Sequence, residues 1–332
     1  MMPVKSADLA DVAGASRPGA EGAVRDAAPD PTVETTAVPE ACYAARREGR
    51  DACGEPTAAE VPVAVISFDE DRALSGTRAI PAEVPVNLVY GGIPFAVMMT
   101  TPSDLEDFAV GFSLTEGVIR QRDDIRGIRI EPDERGIRLA IDLVPNRLHE
   151  HLARRRALSG RTGCGLCGVD DFDSLPQARN MEGAAPSLSA SAIQQALLGL
   201  DREQALNELT HAVHAAAWAD LDGTIRHVRE DVGRHNALDK LLGALCREDI
   251  RPDTGFVVVT SRCSFELVEK IAAFGARTLV AISAPTALAL ERARKLDITL
   301  IGIARRDSVT VFHGLERVRE ALHEQTSGLD LP

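Results

Sequence analysis

The chain has 332 residues, a formal net charge of −13 and 45% hydrophobic residues. That is enough for two modest domains or one large one, and the acidic balance argues against nucleic acid or an anionic membrane surface as the main partner. The start lacks the apolar run of a secretory signal, and no stretch approaches the ~20 apolar residues of a membrane span; a cytoplasmic protein is expected, its six cysteines held as thiols rather than disulfides.

Residues 1–60 are rich in Ala, Pro, Glu, Asp and Gly, with Tyr43 as their sole aromatic and Leu9 as their sole leucine. Such a segment buries too little apolar surface to offset its ordering entropy, so it reads as a disordered tail, with Cys42 and Cys53 as spectator thiols. Order is expected from Val61, where Val61–Phe68 reads as a strand. Glu83–Tyr90 and Ile93–Thr100 flank Gly91-Gly92 as a hairpin with a primed turn. A helix follows, with Thr101 as N-cap, Pro102 at its first position and Asp104 in its first turn. Leu105, Phe108, Ala109 and Phe112 form its buried stripe, and Gly117 ends it. Ile125–Ile130 and Gly136–Val144 read as strands, and Asn146–Leu158 as a basic helix.

The second half alternates strands and helices. A helical stretch covers Ser189–Leu209 with a break near Gly199; His214–Trp218 and Thr224–Val228 are strands joined at Asp222-Gly223; Asp231–Cys246 is a helix that Asp231 would cap. Phe256–Thr260 is a continuous β-branched run, the mark of a strand covered on both faces. Helices Ser264–Phe274 and Thr286–Lys295 alternate with strands Thr278–Ser283 and Ile298–Ala304. Val309–Phe312 completes the sheet, and Leu315–His323 closes the chain as a helix. The expected class is α/β, a layered mixed sheet with helices on both faces plus a smaller N-terminal β-rich portion. The expected organisation is a tail over 1–60, an α+β portion over 61–158, a CxxC loop and linker over 159–187, and an α/β portion over 188–332.

Four motifs carry chemistry. In Arg161-Thr-Gly-Cys-Gly-Leu-Cys-Gly168, Cys164 and Cys167 form a lone CxxC pair among glycines that let a partner approach closely. Arg154, Arg155, Arg156 and Arg161 supply positive potential, which lowers a thiol pKa and favours the reactive thiolate. Structural zinc would need two more ligands, and a thioredoxin-like dithiol would normally open a helix after a strand. Sulfur carriage therefore fits better than either. Glu230-Asp-Val-Gly-Arg-His-Asn-Ala-Leu-Asp-Lys240 places Arg234, His235 and Asn236 on the first turns of a helix. That group suits a phosphate or a purine edge, or is a capped surface helix with a satisfied histidine. Thr260-Ser-Arg-Cys-Ser264 joins a buried strand to a helix, where free N–H groups with Ser261, Arg262 and Ser264 make an anion site. Cys263 reads as a small residue tucked into that junction rather than a third reactive thiol. Arg305 and Arg306 end a strand at the edge where open α/β sheets bind ligands. His211 and His214 have a metal-like spacing, but no HxE or PCxxC accompanies them.

Together these segments resemble the FdhD/NarQ family of formate dehydrogenase accessory sulfurtransferases, from about Val61 to the end. The resemblance rests on Glu83-Val-Pro-Val, Pro94–Thr101, Asp107-Phe-Ala-Val-Gly-Phe-Ser-Leu-Thr-Glu-Gly117, the CxxC loop, His214-Ala-Ala-Ala-Trp218, Glu230–Lys240 and Ala281-Ile-Ser-Ala-Pro-Thr286. It implies a sulfurtransferase that takes sulfur as a persulfide from a cysteine desulfurase. The recipient is the molybdenum of a bis-guanine-dinucleotide molybdopterin cofactor, required by the formate dehydrogenase catalytic subunit. By position Cys164 matches the persulfide-bearing cysteine and Cys167 the second thiol. Ile303-Ala304-Arg305-Arg306-Asp307-Ser308 matches the guanine-dinucleotide stretch; Arg262, Ser264, Arg234 and His235 are further candidate contacts. The family fold is similar to the cytidine-deaminase sandwich with its zinc ligands lost, and members dimerise, so no zinc and a homodimer are expected. The competing reading is a non-enzymatic cofactor-binding chaperone whose thiols only clamp the cofactor. This chain departs from the family pattern at Thr210-His-Ala-Val-His214, where relatives have Thr-Gly-Gly-x-His. It departs again at Arg306-Asp307-Ser308, where Asp307 sits badly beside a phosphate, and at Cys263, commonly alanine.

Overall fold

A computed structural model describes residues 57–68, 72–156 and 185–319, with residues 151–156 as backbone alone. The CxxC loop with Cys164 and Cys167 lies outside the described residues, as do Cys42 and Cys53. The first element is an antiparallel hairpin of β1 (Ala58–Ser67) and β2 (Arg72–Pro81), with Val61 opposite Arg78 and Val65 opposite Leu74. Sequence reading missed β2 because Arg72-Ala-Leu-Ser-Gly-Thr-Arg-Ala shows no clean alternation; its pairing with β1 supplies the order that its own pattern does not.

Next comes a four-stranded sheet in the order β4-β3-β6-β5. Its strands are β3 (Val84–Tyr90), β4 (Ile93–Thr100), β5 (Ile125–Asp133) and β6 (Gly136–Leu143). Gly91 and Gly92 both have positive φ, 55° and 81°, as a primed hairpin turn requires. Val86, Leu88 and Tyr90 from β3 and Ile137, Leu139 and Ile141 from β6 face one way. Helix α1 (Leu105–Thr115) lays Leu105, Phe108, Ala109 and Phe112 on that face. Its N-cap is Asp104, in the left-handed region at φ 52°, and not Thr101 as expected. Thr101 is held elsewhere: its N–H donates to Asp231 Oδ2 (3.0 Å) and its hydroxyl accepts from Val232 N–H (3.1 Å). Helix α2 (Pro145–Arg156) follows β6.

The larger sheet has six strands in the order β12-β11-β10-β9-β7-β8. In chain order its elements are α3 (Ala190–Leu200), α4 (Ala205–Thr210), β7 (His214–Asp220), β8 (Ile225–Asp231), α5 (Arg234–Arg247), β9 (Gly255–Val259), α6 (Phe265–Phe274), β10 (Thr278–Ala281), α7 (Ala287–Lys295), β11 (Thr299–Gly302) and β12 (Thr310–His313). Alternation divides the strands between two cores. Trp218, Val257, Val259, Leu279 and Leu300 pack under α5, α6 and α7; Ala217, Phe256, Val258, Val280 and Ile301 pack under α3. Helices thus cover both faces, as the run Phe256–Thr260 indicated. Three boundaries differ from expectation. The expected break after Ser189 is present, but it falls at residues 201–204, just beyond Gly199, and divides the stretch into two helices. Asp231 ends strand β8 instead of opening α5, whose N-cap is Gly233. The described part of the last segment is a single 3-10 turn at Leu315–Arg317.

Helices α1 and α5 join the two sheets' cores at a close crossing. A Cβ on Gly111 would lie 1.7 Å from the Asp239 carbonyl oxygen, and one on Gly243 would lie 1.8 Å from that of Asp107. Only glycine permits the two backbones to touch there. Charges tie the same crossing. Asp107, buried on α1, accepts from Arg229 Nε and Nη2 (2.9 and 2.8 Å) and is paired with Arg247 of α5. Between α5 and α6, Lys270 Nζ donates to both oxygens of Asp239 (2.9 and 2.8 Å) and to Thr115 of α1 (2.9 Å). These contacts fix where the N-terminus of α5 points.

Candidate functional site

Strands β9, β10 and β11 run parallel, so the loops after them emerge on one edge, the edge at which open α/β sheets bind ligands. The backbone ties these loops side by side: Cys263 N–H donates to Ala284 O (3.3 Å), Thr286 N–H to Cys263 O (2.9 Å), and Ile303 N–H to Ser283 O (3.1 Å). Antiparallel β7 begins on the same edge, with His214 opposite Asp231. The N-termini of α5, α6 and α7 follow β8, β9 and β10 there, capped by Gly233, Ser264 and Thr286. One edge therefore gathers Arg234, His235, Arg262, Ser264 and Ile303–Ser308, together with three helix ends of positive polarity. The positions of Cys164 and Cys167 relative to it lie outside the described residues.

The structure sorts Glu230–Lys240 into supports and free groups. Glu230 accepts from the N–H groups of Leu206 and Asn207 (2.9 and 2.8 Å) and so anchors α4. Asp231, fully buried, takes N–H bonds from Thr101 and Gly233 (3.0 and 2.8 Å) and pairs with Lys240 Nζ at 2.7 Å. Lys240, equally buried, also donates to Thr101 O (2.9 Å). A buried ion pair is stable only when its remaining hydrogen-bonding capacity is met, and here it is. Asn236, expected to face a ligand, is instead buried, its amide donating to Met99 O (2.7 Å) and Asp231 Oδ1 (3.1 Å). Asp239 is engaged by Lys270. Among the polar residues of the segment, two atoms stay unsatisfied: the Arg234 Nε donor and the His235 Nε2 ring nitrogen are buried with no hydrogen-bond partner.

Those two atoms sit in a shared electrostatic setting. Burial, helped by the charges of Arg234 and Lys270, pushes the His235 pKa down to about 4, so the ring is neutral at pH 7. His214 is lowered by burial and by Arg234. Glu266, on the first turn of α6, lies 4.0 Å from His235 Nε2. Burial raises its carboxyl, but the Ser264 hydroxyl, its own backbone N–H and the Arg234 charge outweigh that and hold it below the usual range. Ser264 Oγ is buried without a hydrogen bond of normal geometry, so its contribution to Glu266 is a loose one. Arg262 is exposed. Cys263 is fully buried and burial raises its thiol to about 12, which makes it packing rather than a nucleophile, in line with the tucked reading.

The loop Ile303–Ser308 is a tight turn closed by Arg305 N–H to Ser308 O (2.7 Å). Ile303 enters it at φ 50°, a costly conformation for a β-branched residue and one that strand-end loops adopt when the surroundings impose it. Arg305 Nη1 donates to Ile282 O and Ala304 O (2.5 and 2.9 Å). Arg306 pairs with Asp201 (2.8 Å), and its carbonyl accepts from Gln194 (2.7 Å). Ala304 is buried, while Asp307 and Ser308 face solvent. The cations of this loop are thus already partnered. His211 takes the left-handed conformation at φ 53° as the C-cap of α4, a place glycine fills at no steric cost. Among the described residues no group of three His, Cys, Asp or Glu side chains is arranged to hold a metal ion. Glu266 was not singled out from sequence, because a lone glutamate in a helical first turn looks like an ordinary dipole partner.

The fold defines a mixed α/β protein with a glycine-paired helix junction between its two larger sheets. The FdhD/NarQ family model matches residues 81–319. "Sulfur carrier protein FdhD" of Bordetella petrii is 46% identical over 248 residues, covering 74% of this chain and 89% of that protein. The protein of the same name from Xanthomonas euvesicatoria is 46% identical over 239 residues, covering 72% and 85%. A solved structure from Desulfotalea psychrophila, assigned as a formate dehydrogenase accessory protein, superposes with a TM-score of 0.62 over 79% of this chain and 100% of its own, at 23% identity, and shows the shared fold. The chain belongs to the FdhD/NarQ family.

Proposed function

We propose that the protein is a sulfur carrier serving formate dehydrogenase. The observation that carries this reading is 46% identity along most of the chain to proteins named sulfur carrier protein FdhD. In this reading Cys164 is the carrier. Its thiolate attacks the outer sulfur of a cysteine desulfurase persulfide, the donor cysteine leaves as thiolate, and Cys164 retains the extra sulfur as a persulfide. The loop arginines favour the thiolate form. Cys167 can attack the Cys164 persulfide in turn, closing a disulfide and expelling sulfide, so it is accessory rather than required. The substrate is a molybdenum bis(molybdopterin guanine dinucleotide), an anionic molecule, received on Arg234, His235, Arg262, Ser264 and Ile303–Ser308. The unmet donor Arg234 Nε suits such a ligand, because a buried donor without a partner costs free energy that an incoming acceptor recovers. The protein acts as a homodimer in the cytoplasm; no helix among the described residues is long and apolar enough to cross a membrane.

The test is activation of sulfur-free formate dehydrogenase in vitro with a cysteine desulfurase, cysteine and cofactor. Cys164→Ser is expected to abolish activation and Cys167→Ser to reduce it less. Equal loss would overturn that ranking. Full activation by Cys164→Ser would favour the cofactor chaperone.

A further inference from the structure

Beside β8, the outer strand on one side of the six-stranded sheet, lies a groove of about 400 Å³ lined by α4, β8 and the turn that opens α1. Its wall is apolar: Ala205, Leu206 and Leu209 of α4 with Val228 of β8. Asp104 and Glu203 bring carboxylates to it. Glu230 adds a third negative charge, its oxygens already holding the N–H groups of Leu206 and Asn207. Among the described residues that line the groove there is no lysine, arginine or histidine. Arg229 approaches Asp104 only at 3.5 Å, while its hydrogen bonds go to Asp107 and the Val228 carbonyl. Asp104 is the N-cap of α1 but makes no capping hydrogen bond, so the helix does not consume its carboxylate. An apolar wall beside carboxylates suits a cation on an aliphatic stem. Arginine has both parts: the stem lies on the wall, and the guanidinium fork meets the carboxylates.

The surroundings of the groove are apolar and uncovered. Leu209 is 59% exposed. Strand β2 packs against α4 and exposes Leu74 and Ile80, and Val65 of β1, opposite Leu74, is exposed as well. The β1–β2 hairpin is a sheet of its own, and a two-stranded ribbon is marginal without a further layer. Clustered exposed apolar side chains mark protein-interaction surfaces. A free small cation would leave them bare, whereas a protein segment covers them. We infer that this groove and the flank of the β1–β2 hairpin dock a partner protein through an arginine set among apolar residues. The arginine enters the groove against Asp104 and Glu203, and the apolar residues beside it cover Leu209 and the hairpin. The net charge of −13 draws a cationic partner toward the chain during approach. This docking stands on the groove's own residues and is independent of sulfur carriage.

The experiment is leucine-methyl NMR of the full chain, titrated with three probes. These are the capped peptide Ala-Leu-Arg-Leu-Ala, the same peptide with citrulline for arginine, and butylguanidinium alone. The arginine peptide is expected to shift the Leu206 and Leu209 methyl signals saturably. Citrulline keeps the shape and removes the charge, so its peptide should bind at least about tenfold more weakly. Butylguanidinium, which covers none of the apolar flank, should also bind at least about tenfold more weakly. Asp104→Asn and Glu203→Gln are isosteric, and methyl signals remote from the groove report that the fold is kept. Together they should remove the preference for arginine over citrulline. No shift of the Leu206 and Leu209 methyls at millimolar peptide would mean that the groove docks nothing of this kind. Equal binding of the citrulline peptide, or an arginine preference that survives the double variant, would show that the carboxylates do not select the partner. Butylguanidinium binding as tightly as the peptide would make the occupant a small cation and overturn the docking of a protein.

Discussion

His235 should make the protein acid-sensitive in a way that one substitution removes. Its pKa is pushed from 6.5 to about 4 by burial and by the neighbouring Arg234 and Lys270. The unfolded chain, with an ordinary imidazole, therefore binds more protons than the folded one between those two values. Stability from this residue is constant above about pH 7, falls as pH drops through 6.5, and levels off below about 4. The full effect corresponds to about 3 kcal/mol, of which about 2 kcal/mol is lost between about pH 7.5 and pH 5. His235→Gln keeps a polar side chain without the titration. His214 titrates in both proteins, and its effect cancels in the comparison. Urea unfolding at the two pH values should show wild type losing about 2 kcal/mol more than His235→Gln. Equal losses would mean that His235 is solvated rather than held neutral against Arg234, and the electrostatic description of the edge would fail.

The remaining predictions concern what aims α5 at that edge. Gly111→Ala puts a Cβ 1.7 Å from the Asp239 carbonyl oxygen, so the helices must separate at a cost of about 3 kcal/mol or more; circular-dichroism melting should show a large drop in midpoint, and an unchanged midpoint would refute the crossing. Lys270→Met leaves Asp239 buried and uncompensated, a loss of about 3–5 kcal/mol, whereas Lys270→Met with Asp239→Leu should recover much of it in chemical denaturation; a double variant as weak as the sum of the single ones would show the two residues do not interact.

Local pattern made much of this fold readable, and long-range partnership hid the rest. The hairpin at Gly91-Gly92, the α1 stripe of Leu105, Phe108 and Phe112, and the buried strand Phe256–Thr260 follow from turn chemistry and periodicity, which act over a few residues. The N-cap of α1 was misplaced because Thr101, a good cap by type, is bonded to Asp231 and Val232, about 130 residues away in the chain. Asp231 looked like a helix cap for the converse reason: its partners Thr101 and Lys240 appear only on folding. Within Glu230–Lys240 the sequence marks many reactive side chains with equal weight. Packing separates them, because Glu230, Asp231, Asn236, Asp239 and Lys240 find partners in other elements while Arg234 Nε and His235 Nε2 stay unpartnered. The parallel order of β9, β10 and β11, which unites Arg262 with Ile303–Ser308, is a property of topology that no single motif carries. Cys164 and Cys167, proposed as the carrier pair from their spacing and glycine context, lie outside the described residues.

The account turns on Cys164 carrying sulfur. Intact-protein mass spectrometry after incubation with a cysteine desulfurase and cysteine, followed by peptide mapping, measures this directly. The expected result is one added sulfur atom on the peptide bearing Cys164, lost on treatment with dithiothreitol. No added sulfur on Cys164 or Cys167, with the donor demonstrably active, would contradict it.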